Sequence, residues 1–343
     1  MDNKDDIIVS ICCLTYNHAS FIRQCLDGFL MQKTNFKYEI IIHDDCSTDG
    51  TTEIVREYAE KYPDKIVPIF QSVNQYQSGN THILTLFVYP KVRGKYVAVC
   101  EGDDYWIDSM KLQKQVDYLD THPDCTMTCS RAKWFSQRRN KYVAEQYCLK
   151  ADGLLDPIEI INRGGLYIST CSIVYRLQIR DNYPDYCENC PAGDWPLQLT
   201  AAMKGSVYYF NEAMCVYRVE REGSWTSMQK WCSMDPKRLQ TACSVVKLLE
   251  GFSKDYPAYK KVFNDKIAVY ICYNTPRWIY GKKELDVYRK LFLDEINKFP
   301  FKWKIFYRIC LLRVPMVKVW YARLFLRRYE FANKFTTRDL GKT

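Results

Sequence analysis

The sequence lacks the short phosphate-binding patterns that identify many nucleotide-dependent enzymes. It contains neither a Gly-x-Gly-x-x-Gly fingerprint nor a Gly-x-x-x-x-Gly-Lys-Ser/Thr loop, which disfavours a dehydrogenase and a P-loop enzyme. No segment recurs with a period of about 20 to 50 residues, which argues against a repeat protein. Hydrophobic residues make up 47% of the 343 positions. We therefore expect a globular protein with one large domain or two ordinary ones.

The start of the chain lacks the pattern of an export signal. Residues 1–6 are polar and largely acidic, without the basic and apolar regions of a secretory signal peptide. Sixteen cysteines are present, many of them inside apolar segments. The chain is also far larger than the secreted domains that disulfides stabilise. We therefore expect reduced cysteines in a cytoplasmic protein.

Patterns typical of zinc sites are lacking as well. Cys187 and Cys190 have the spacing of half a zinc site, but no second pair and no His-x-x-x-His follows. The chain has only four histidines, none with metal-ligand spacing to another: His18, His43, His82 and His122. We expect these cysteines and histidines to be structural.

The positive charge of the chain is concentrated at its C-terminal end. Residues 299–343 hold eleven Lys or Arg against two acids, which accounts for the whole net charge of +9. Within 301–329, apolar and aromatic residues alternate with eight basic residues, and Pro315 interrupts the segment. Such a pattern predicts a helix in the interfacial plane of an anionic membrane rather than a span. The alternative is a helix packed on the core with a solvated basic face. Nucleic-acid binding is not expected, since no nucleic-acid motif accompanies the charge.

The first third of the chain alternates between strand-like and helix-like segments. Apolar runs predict strands over Ile7–Thr15, Tyr38–His43, Lys65–Gln71 and Lys95–Cys100. Helical spacing predicts helices over His18–Met31, Thr51–Lys61, Thr81–Val92 and Ser109–Thr121. This alternation predicts an α/β fold with a parallel sheet that is covered on both faces.

The pattern becomes more mixed after Pro123. Strands are predicted over Thr126–Ser130, Tyr167–Tyr175 and Ser206–Tyr217, and a helix over Trp195–Lys204. From Asp235 onward the spacing is helical throughout. We therefore predict a first domain over 1–233 and a helical C-terminal region over 234–343.

Polar motifs follow three of the predicted strands. They are Thr15-Tyr16-Asn17-His18, Asp44-Asp45-Cys46-Ser47-Thr48-Asp49-Gly50-Thr51 and Glu101-Gly102-Asp103-Asp104. Because parallel strands end at the same edge of a sheet, the motifs should converge on one crevice. Carboxylates at such an edge make a metal or phosphate site plausible.

Together these segments resemble family 2 glycosyltransferases of the GT-A fold, of the type that builds bacterial cell-surface polysaccharides. The order and the spacing of the motifs match as well as the motifs themselves, over about residues 7 to 230. The resemblance implies a mostly parallel central sheet flanked by helices, followed here by an all-helical appendage. It also implies a nucleotide-sugar donor, and the positions that would bind it are Thr15, Tyr16, Asn17, Asp44, Asp45, Asn80 and Asp103.

The resemblance places the metal at Asp103 and Asp104, in the family's Asp-x-Asp position. Hard carboxylate oxygens suit Mn²⁺ or Mg²⁺, which would neutralise the departing diphosphate. Glu101 stands where a first Asp is commoner. Three adjacent carboxylates also repel one another unless a cation is present, which favours a metal site over a solvated acidic turn.

The resemblance also implies a general base. Asp194 stands where the family carries an acid that removes the acceptor's hydroxyl proton, although capping of the following helix would also explain an Asp there. Gly193 replaces a usual Glu, and Glu220 stands where His is common. Contacts with the acceptor or with phosphate are predicted for Trp106, Trp195 and Arg218, with Arg221 as a second phosphate candidate.

These features predict an inverting, metal-dependent glycosyltransferase that moves a sugar, expected from a UDP-sugar, to a hydroxyl of a glycan or lipid-linked acceptor. One alternative is a sugar-phosphate nucleotidyltransferase, although the Gly-rich loop expected after its first strand is missing. Another is a non-enzymatic, membrane-associated scaffold with a vestigial nucleotide site, which the departures at Gly193 and Glu220 favour. The expected location is cytoplasmic, with peripheral contact on the inner membrane face through residues 301–329.

Overall fold

The computed structural model describes residues 6–190, 193–221, 236–274 and 289–311. These residues group into two units. The first contains 6–156, 165–183 and 193–221, and the second contains 157–164, 184–190, 236–274 and 289–311. The second unit therefore includes two short segments from within the predicted first domain. The predicted boundary near residue 233 stays a prediction.

The first unit is built on a ten-stranded sheet. The strands are β1 (Ile7–Thr15), β2 (Lys37–Asp44), β3 (Ile66–Phe70), β4 (Tyr96–Val99), β5 (Tyr105–Trp106), β6 (Cys125–Ser136), β7 (Lys141–Gln146), β8 (Gly153–Leu154), β9 (Val174–Arg176) and β10 (Ser206–Val219). Their order is β3-β2-β1-β4-β9-β6-β10-β5, with β7 beside β6 and β8 beside β10. Pairings among β1 to β4 and between β6 and β10 are parallel, whereas β5, β7, β8 and β9 pair antiparallel.

Helices cover the parallel half of the sheet. Val9, Ile11, Cys12 and Cys13 of β1 are fully buried, so both faces of this strand are covered. Such burial explains why the strand is a continuous apolar run rather than an alternating one. Helices of the first unit are α1 (Ile22–Leu30), α2 (Thr51–Lys61), α3 (Lys111–Thr121) and the Asp194 helix (Asp194–Lys204). The α/β prediction is confirmed.

The buried face of α1 follows directly from its sequence. Ile22, Cys25, Leu26 and Phe29 are spaced by three or four residues and all have zero exposure. That spacing places them along one side of a helix. Burial of each large apolar side chain contributes about 1.5 to 3 kcal/mol. The helix is therefore held mainly by its packing.

Two predicted elements are wrong in part. Instead of a strand over Tyr167–Tyr175, the chain forms 3-10 turns at Gly165–Tyr167 and Thr170–Ser172, and only Val174–Arg176 joins the sheet. The Ser172 hydroxyl donates to the Ser169 carbonyl at 2.7 Å, and such local bonds compete with strand pairing.

The predicted helix over Thr81–Val92 is also irregular. It consists of a π-helical turn at Leu84–Val88 followed by a 3-10 turn at Tyr89–Lys91. Pro90 lies in the second turn and has no backbone N–H to continue an α-helix.

The second unit is helical in the described residues. Its helices are Pro157–Arg163, Asp185–Glu188, Pro236–Asp255, Lys260–Asn274, Leu293–Lys298 and Phe301–Leu311. Their packing is aromatic in part, since the rings of Phe252 and Phe263 stack with 5.6 Å between centroids. The prediction of helices after Asp235 is confirmed for 236–274 and 289–311.

The described start of the basic tail packs within the second unit. Trp303 and Phe306 are fully buried, and the Trp303 indole N–H donates to Asp265 Oδ1 at 2.6 Å. Lys302, Lys304 and Arg308 are exposed. Residues 301–311 thus follow the packed-helix alternative, and residues 312–329 of the predicted membrane segment lie outside the described residues. No helix in the described part of the chain combines the length and apolar content needed to cross a bilayer.

Candidate functional site

The loops after β1, β2 and β4 meet at one edge of the sheet, as the sequence predicts. The Asp45 N–H donates to the Thr15 carbonyl at 3.0 Å, and the Gly102 N–H donates to the Leu14 carbonyl at 2.8 Å. Asn17 links the first two loops, because its N–H donates to Ser47 Oγ and its Oδ1 accepts the Thr48 N–H, both at 2.9 Å. The convergence of the three motifs is therefore confirmed.

Glu101, Asp103 and Asp104 form what we call the acid cluster. A carboxylate oxygen from each lies within 4.8 Å of the others. Protein around its carboxyl and the charges of Asp103 and Asp194 raise the pKa of Glu101 to about 8. Burial and the charges of Asp103 and Glu101 also raise the pKa of Asp104 well above the usual range. The cluster is thus short of positive charge.

One oxygen of Asp104 is available to a ligand. Asp104 is 1% exposed, and its Oδ1 accepts the Arg218 backbone N–H at 2.7 Å. Within the described residues its Oδ2 has no hydrogen-bond partner. A buried carboxylate oxygen without a partner is costly. Hard oxygen donors and missing positive charge both fit a divalent cation, so the residues present are suited to the metal that the sequence predicts.

Two arginines support the acid cluster from β10 and the chain after it. The Arg218 guanidinium donates to the Asp103 carbonyl and, at 2.5 Å, to Gln24 Oε1. It also lies over the Tyr105 ring, 4.6 Å from the centroid. The Arg221 Nε pairs with Asp103 Oδ2 at 2.7 Å. Arg218 therefore positions the Asp103–Asp104 turn, and its predicted contact with phosphate stays a prediction.

The sequence did not predict that His18 packs beside this turn. His18 is 7% exposed, and its Nε2 lies 4.0 Å from Asp103 Oδ2. Burial lowers its pKa. A methyl group at Gly102 would lie 2.8 Å from Thr15 Oγ1 and 2.9 Å from His18 Nδ1, so only glycine fits there. In the sequence, the only indication of this position was that His18 ends the polar motif after β1.

Asp44 is held by hydroxyl groups of its own loop and of the first turn of α2. Its two oxygens accept hydrogen bonds from Ser47 Oγ and Thr52 Oγ1, each at 2.5 Å, and it is 1% exposed. Each carboxylate oxygen has a second lone pair, so a base edge could still be accepted. Its predicted contact with the base stays a prediction.

Asp45 and Asn80 both hold the loop over residues 74–80. Asp45 accepts the Gln75 and Tyr76 N–H groups at 2.8 and 3.0 Å. Asn80 donates to Gln75 Oε1 at 2.8 Å. Gln77 Nε2 of the same loop lies 3.4 Å from the Tyr16 hydroxyl. The predicted donor-binding residues are thus brought together, although their roles stay predictions.

Asp194 is the first residue of its helix, and its carboxylate lies beside Gly165. Its charge contributes to the raised pKa of Glu101. Protein around the Asp194 carboxyl raises its own pKa. A methyl group at Gly165 would lie 2.9 Å from Asp194 Oδ2, so Gly165 makes room for this side chain.

The two predicted tryptophans lie inside the protein. Trp106 is 2% exposed, its indole N–H donates to the Cys171 carbonyl at 2.9 Å, and its ring packs on Phe29 with 4.7 Å between centroids. Trp195 is 5% exposed. This placement favours packing roles for both, and their contact with an acceptor stays a prediction.

Comparisons of the sequence with known proteins agree with the fold and the site described above. Residues 10–183 match the family described as glycosyl transferase family 2. An uncharacterized protein of Mycobacterium tuberculosis is 38% identical over 224 residues, which are 64% of this chain and 61% of the relative. The matched region thus spans less than two thirds of that relative's length.

Solved structures show the same fold. TarS of Staphylococcus aureus superposes with a TM-score of 0.60 at 14% identity, covering 95% of this chain and 55% of TarS. A TarS fragment in complex with UDP-GlcNAc gives a TM-score of 0.52. The mannosyltransferase PcManGT of Pyrobaculum calidifontis, in complex with GDP-Man and Mn²⁺, gives 0.53 at 16% identity, covering 96% of this chain and 87% of PcManGT. These likenesses confirm the GT-A fold, and with the match over residues 10–183 the chain belongs to glycosyltransferase family 2.

Proposed function

We propose that this protein is an inverting, metal-dependent glycosyltransferase that moves a sugar from a nucleotide diphosphate to an acceptor hydroxyl. The observation that carries the proposal is the meeting of two kinds of carboxylate. Asp104 offers a buried oxygen without a partner among the described residues. The charge of Asp194 contributes to the raised pKa of Glu101 in the acid cluster, and a methyl group at Gly165 would lie 2.9 Å from Asp194 Oδ2.

The acid cluster would bind the metal ion that neutralises the charge of the leaving group. Asp103 and Asp104 would hold Mn²⁺ or Mg²⁺, which neutralises charge on a departing diphosphate when bound. Arg218 fixes the turn that presents both carboxylates, through its N–H to Asp104 and its guanidinium to the Asp103 carbonyl. Because this turn is held before any ligand arrives, little reorganisation remains when the bond breaks.

Asp194 would accept the proton of the acceptor hydroxyl. A carboxylate is a weak base, and the raised pKa of Asp194 brings it closer to the working pH. With one base on the acceptor and the leaving group on the opposite side, a single displacement inverts the anomeric centre. The start of the Asp194 helix is joined to the turn at residues 165–168, because Gln198 donates to the Gly165 and Ile168 carbonyls at 3.0 and 3.1 Å.

The donor would lie along the loops after β1 and β2. Thr15, Tyr16, Asn17 and Asp44 would contact the nucleoside, and loop 74–80 would close its far side. Thr15 Oγ1 supports this placement, since it is buried and has no partner within the described residues. We propose a UDP-sugar, because the TarS fragment was solved with UDP-GlcNAc. PcManGT was solved with GDP-Man, so a guanosine donor is the competing outcome.

The acceptor would be a glycan or lipid-linked hydroxyl at the cytoplasmic membrane surface. Residues 301–311 pack through Trp303 and Phe306, and on their solvated face the exposed Lys304 and Arg308 support a peripheral contact with anionic lipid. Flotation with vesicles of phosphatidylglycerol and phosphatidylcholine tests this point. The wild type should float only with the anionic vesicles, and a Lys304→Glu/Arg308→Glu variant should remain at the bottom of the gradient. Equal flotation of both proteins would refute this membrane contact.

Transfer itself is tested with purified full-length protein, Mn²⁺ and a panel of nucleotide sugars. Wild-type protein should release the nucleoside diphosphate in a metal-dependent reaction, and Asp104→Ala should lose that release. Asp117→Ala, an exposed acid on α3, is the matched control and should behave as wild type. Unchanged turnover in Asp104→Ala would refute the mechanism. Release of pyrophosphate from a sugar phosphate and a nucleoside triphosphate would indicate a nucleotidyltransferase, and donor binding without turnover a scaffold.

A further inference from the structure

The chain turns sharply at Glu220, directly after the last residue of β10. Glu220 has a φ of +55°, in the left-handed region. Residues with a side chain rarely adopt this conformation, because it brings Cβ too close to a backbone carbonyl oxygen. Strain of this kind persists only where the surrounding contacts hold it, and it is frequent at functional sites. The turn at Glu220 is therefore a candidate for a functional role.

The carboxylate of Glu220 holds this turn against the end of β6 and the residues after it. It accepts hydrogen bonds from the Ser136 hydroxyl at 2.5 Å and from Arg138 Nη2 at 2.8 Å, and Arg139 Nε lies 3.3 Å away. The hydrogen bond from Ser136 and the two guanidiniums lower the pKa of Glu220. Arg138 is largely exposed, so solvent screens its ion pair, whereas Ser136 is buried. Ser136 and Arg139 are thus the main partners that fix this turn.

The turn directs the next side chain, Arg221, toward the acid cluster. Arg221 Nε donates to Asp103 Oδ2 at 2.7 Å, and both side chains are largely buried. The guanidinium also lies 5.9 Å from the centroid of the Phe21 ring. Glu220 thus fixes the backbone from which Arg221 reaches Asp103.

Arg221 supplies part of the positive charge that a metal ion would bring. Protein around Glu101 and the charges of Asp103 and Asp194 raise the pKa of Glu101, and the charge of Arg221 opposes that rise. Asp103 is also a proposed metal ligand, and one of its oxygens already contacts the guanidinium. Because two cations on one carboxylate repel each other, Arg221 should weaken the binding of a free metal ion.

A nucleoside diphosphate should change this balance. Its negative charge beside the metal ion would reduce the repulsion between the metal ion and the guanidinium. The metal ion and the diphosphate should then each bind more tightly when the other is present, and by the same factor.

We infer that Glu220 is a positioning residue that fixes Arg221 as a counter-ion on Asp103, and that this counter-ion makes metal binding depend on the donor's diphosphate. The inference rests on the proposed glycosyltransferase function. It gives a role to Glu220, which stands where His is common in the family. Without a donor, Arg221 stabilises Asp103 and opposes a second cation. The pair therefore favours binding of metal and donor together over binding of metal alone.

Titration of Mn²⁺ into the full-length protein, with and without saturating UDP or GDP, tests the counter-ion. Isothermal titration calorimetry gives the dissociation constants. Arg221→Met keeps an apolar stem without the charge, so its dissociation constant for Mn²⁺ alone should fall about tenfold, equivalent to roughly 1.4 kcal/mol. The tightening of Mn²⁺ binding by nucleotide should shrink by a similar factor. Arg221→Lys keeps the charge and should bind Mn²⁺ as wild type does.

Arg93→Met is the matched control. Arg93 also pairs with a buried acid, with 2.5 Å between its Nη2 and Glu39 Oε2. This pair lies near the start of β2, at the edge of the sheet opposite the acid cluster. Its loss should leave the dissociation constant for Mn²⁺ unchanged, which separates a charge at the site from the general loss of an ion pair.

A double-mutant cycle tests the role of Glu220. Glu220→Gln keeps the size of the side chain but weakens its hold on Arg139, so Mn²⁺ alone should bind about threefold more tightly. In an Arg221→Met background the same change should leave Mn²⁺ binding unaltered, because the counter-ion that Glu220 positions is absent. A role in stability alone would lower the melting temperature equally in both backgrounds and would not change Mn²⁺ binding.

The inference has clear contrary outcomes. Unchanged or weaker Mn²⁺ binding by Arg221→Met would overturn the counter-ion, and an undiminished nucleotide effect in that variant would overturn the coupling. An effect of Glu220→Gln on Mn²⁺ binding that persists without Arg221 would overturn the positioning role. Absence of Mn²⁺ binding in wild type, with or without nucleotide, would instead count against the proposed function. The cycle is then read from the melting temperatures of the metal-free proteins, where additive effects would overturn the link between Glu220 and Arg221.

Discussion

The two sides of the candidate site treat their carboxylates in opposite ways. In the loop after β2, Asp44 accepts hydrogen bonds from two hydroxyl groups. Asp49 there accepts the Ala19 N–H and the Thr51 hydroxyl at 2.9 and 2.6 Å. Burial alone would raise the pKa of Asp49, but these hydrogen bonds lower it. In the acid cluster, by contrast, the pKa values of Glu101 and Asp104 are raised.

The protein itself therefore satisfies the carboxylates of the β2 loop, but it does not satisfy those of the acid cluster. The carboxylates of the β2 loop are hydrogen-bonded within the protein, so their partners are in place before a ligand binds. In the acid cluster the pKa values of Glu101 and Asp104 stay raised although Arg218 and Arg221 lie beside them, so the cluster gains most from a cation. A donor would therefore bind a preformed surface at the β2 loop. At the acid cluster, the metal ion that accompanies the donor would supply the missing positive charge. Four variants test this contrast.

The largest effect is expected for Asp194→Asn. Loss of a general base typically costs about 10²- to 10⁴-fold in rate, and stabilisation by Mn²⁺ and UDP should stay as in wild type. The raised pKa of Asp194 also predicts the direction of the pH dependence. Wild-type transfer should fall as the pH drops through a value above the usual Asp pKa of about 3.9, because the protonated form cannot accept a proton. A wild-type pH–rate profile that is flat down to pH 4 would contradict the assignment.

Next comes Asp44→Ala, which should destabilise the fold. The Ser47 and Thr52 hydroxyls would lose their acceptor, and a buried polar group left unpaired costs about 1 to 3 kcal/mol. Urea unfolding of this variant and of Asp117→Ala gives the comparison. A free energy of unfolding equal to wild type would mean that the β2 loop does not depend on its carboxylate.

A smaller effect is expected for Gly165→Ala. The new methyl group would lie 2.9 Å from Asp194 Oδ2 and displace the carboxylate. We expect kcat to fall about tenfold, because small misplacements of a catalytic group cost rate, with KM for the donor unchanged. Gly193→Ala is the control, since a methyl group there meets nothing within 4 Å. Equal kcat values for the two variants would argue against a base at Asp194.

The smallest effect, and one of opposite sign to Asp44→Ala, is expected for Asp104→Asn. Because the fold raises the pKa of Asp104, this carboxyl destabilises the metal-free protein above about pH 4, and its replacement by Asn should add about 1 kcal/mol of stability. Stabilisation by Mn²⁺ should disappear at the same time. Differential scanning calorimetry with and without Mn²⁺ measures both. A loss of metal-free stability would show that Asp104 serves the fold more than the metal.

Much of the parallel half could be predicted from sequence because its signals are local. Strand β1 is buried on both faces and therefore reads as one apolar run. The convergence of the motifs followed from strand direction alone. Strand β7 escaped prediction because its residues are half-buried or exposed, which leaves no clear apolar pattern.

The site was harder to predict where a role depends on distant contacts. Nothing near Arg218 in sequence shows that its N–H holds Asp104, 114 residues earlier. The same is true of Gly165, which lies 29 positions before Asp194 in the numbering and is needed only because the two meet in the fold. Motifs locate the candidates, whereas tertiary packing decides which of them are free to act.

The bond between Arg218 and Asp104 also bears on the order in which the protein assembles. Strand β10 pairs with β5 and β6, so these contacts close long loops and belong to the slow part of folding. During synthesis, the Asp103–Asp104 turn emerges long before the residue that holds it. A chain released before residue 218 would therefore contain every acidic ligand of the cluster and still lack the support that aligns them.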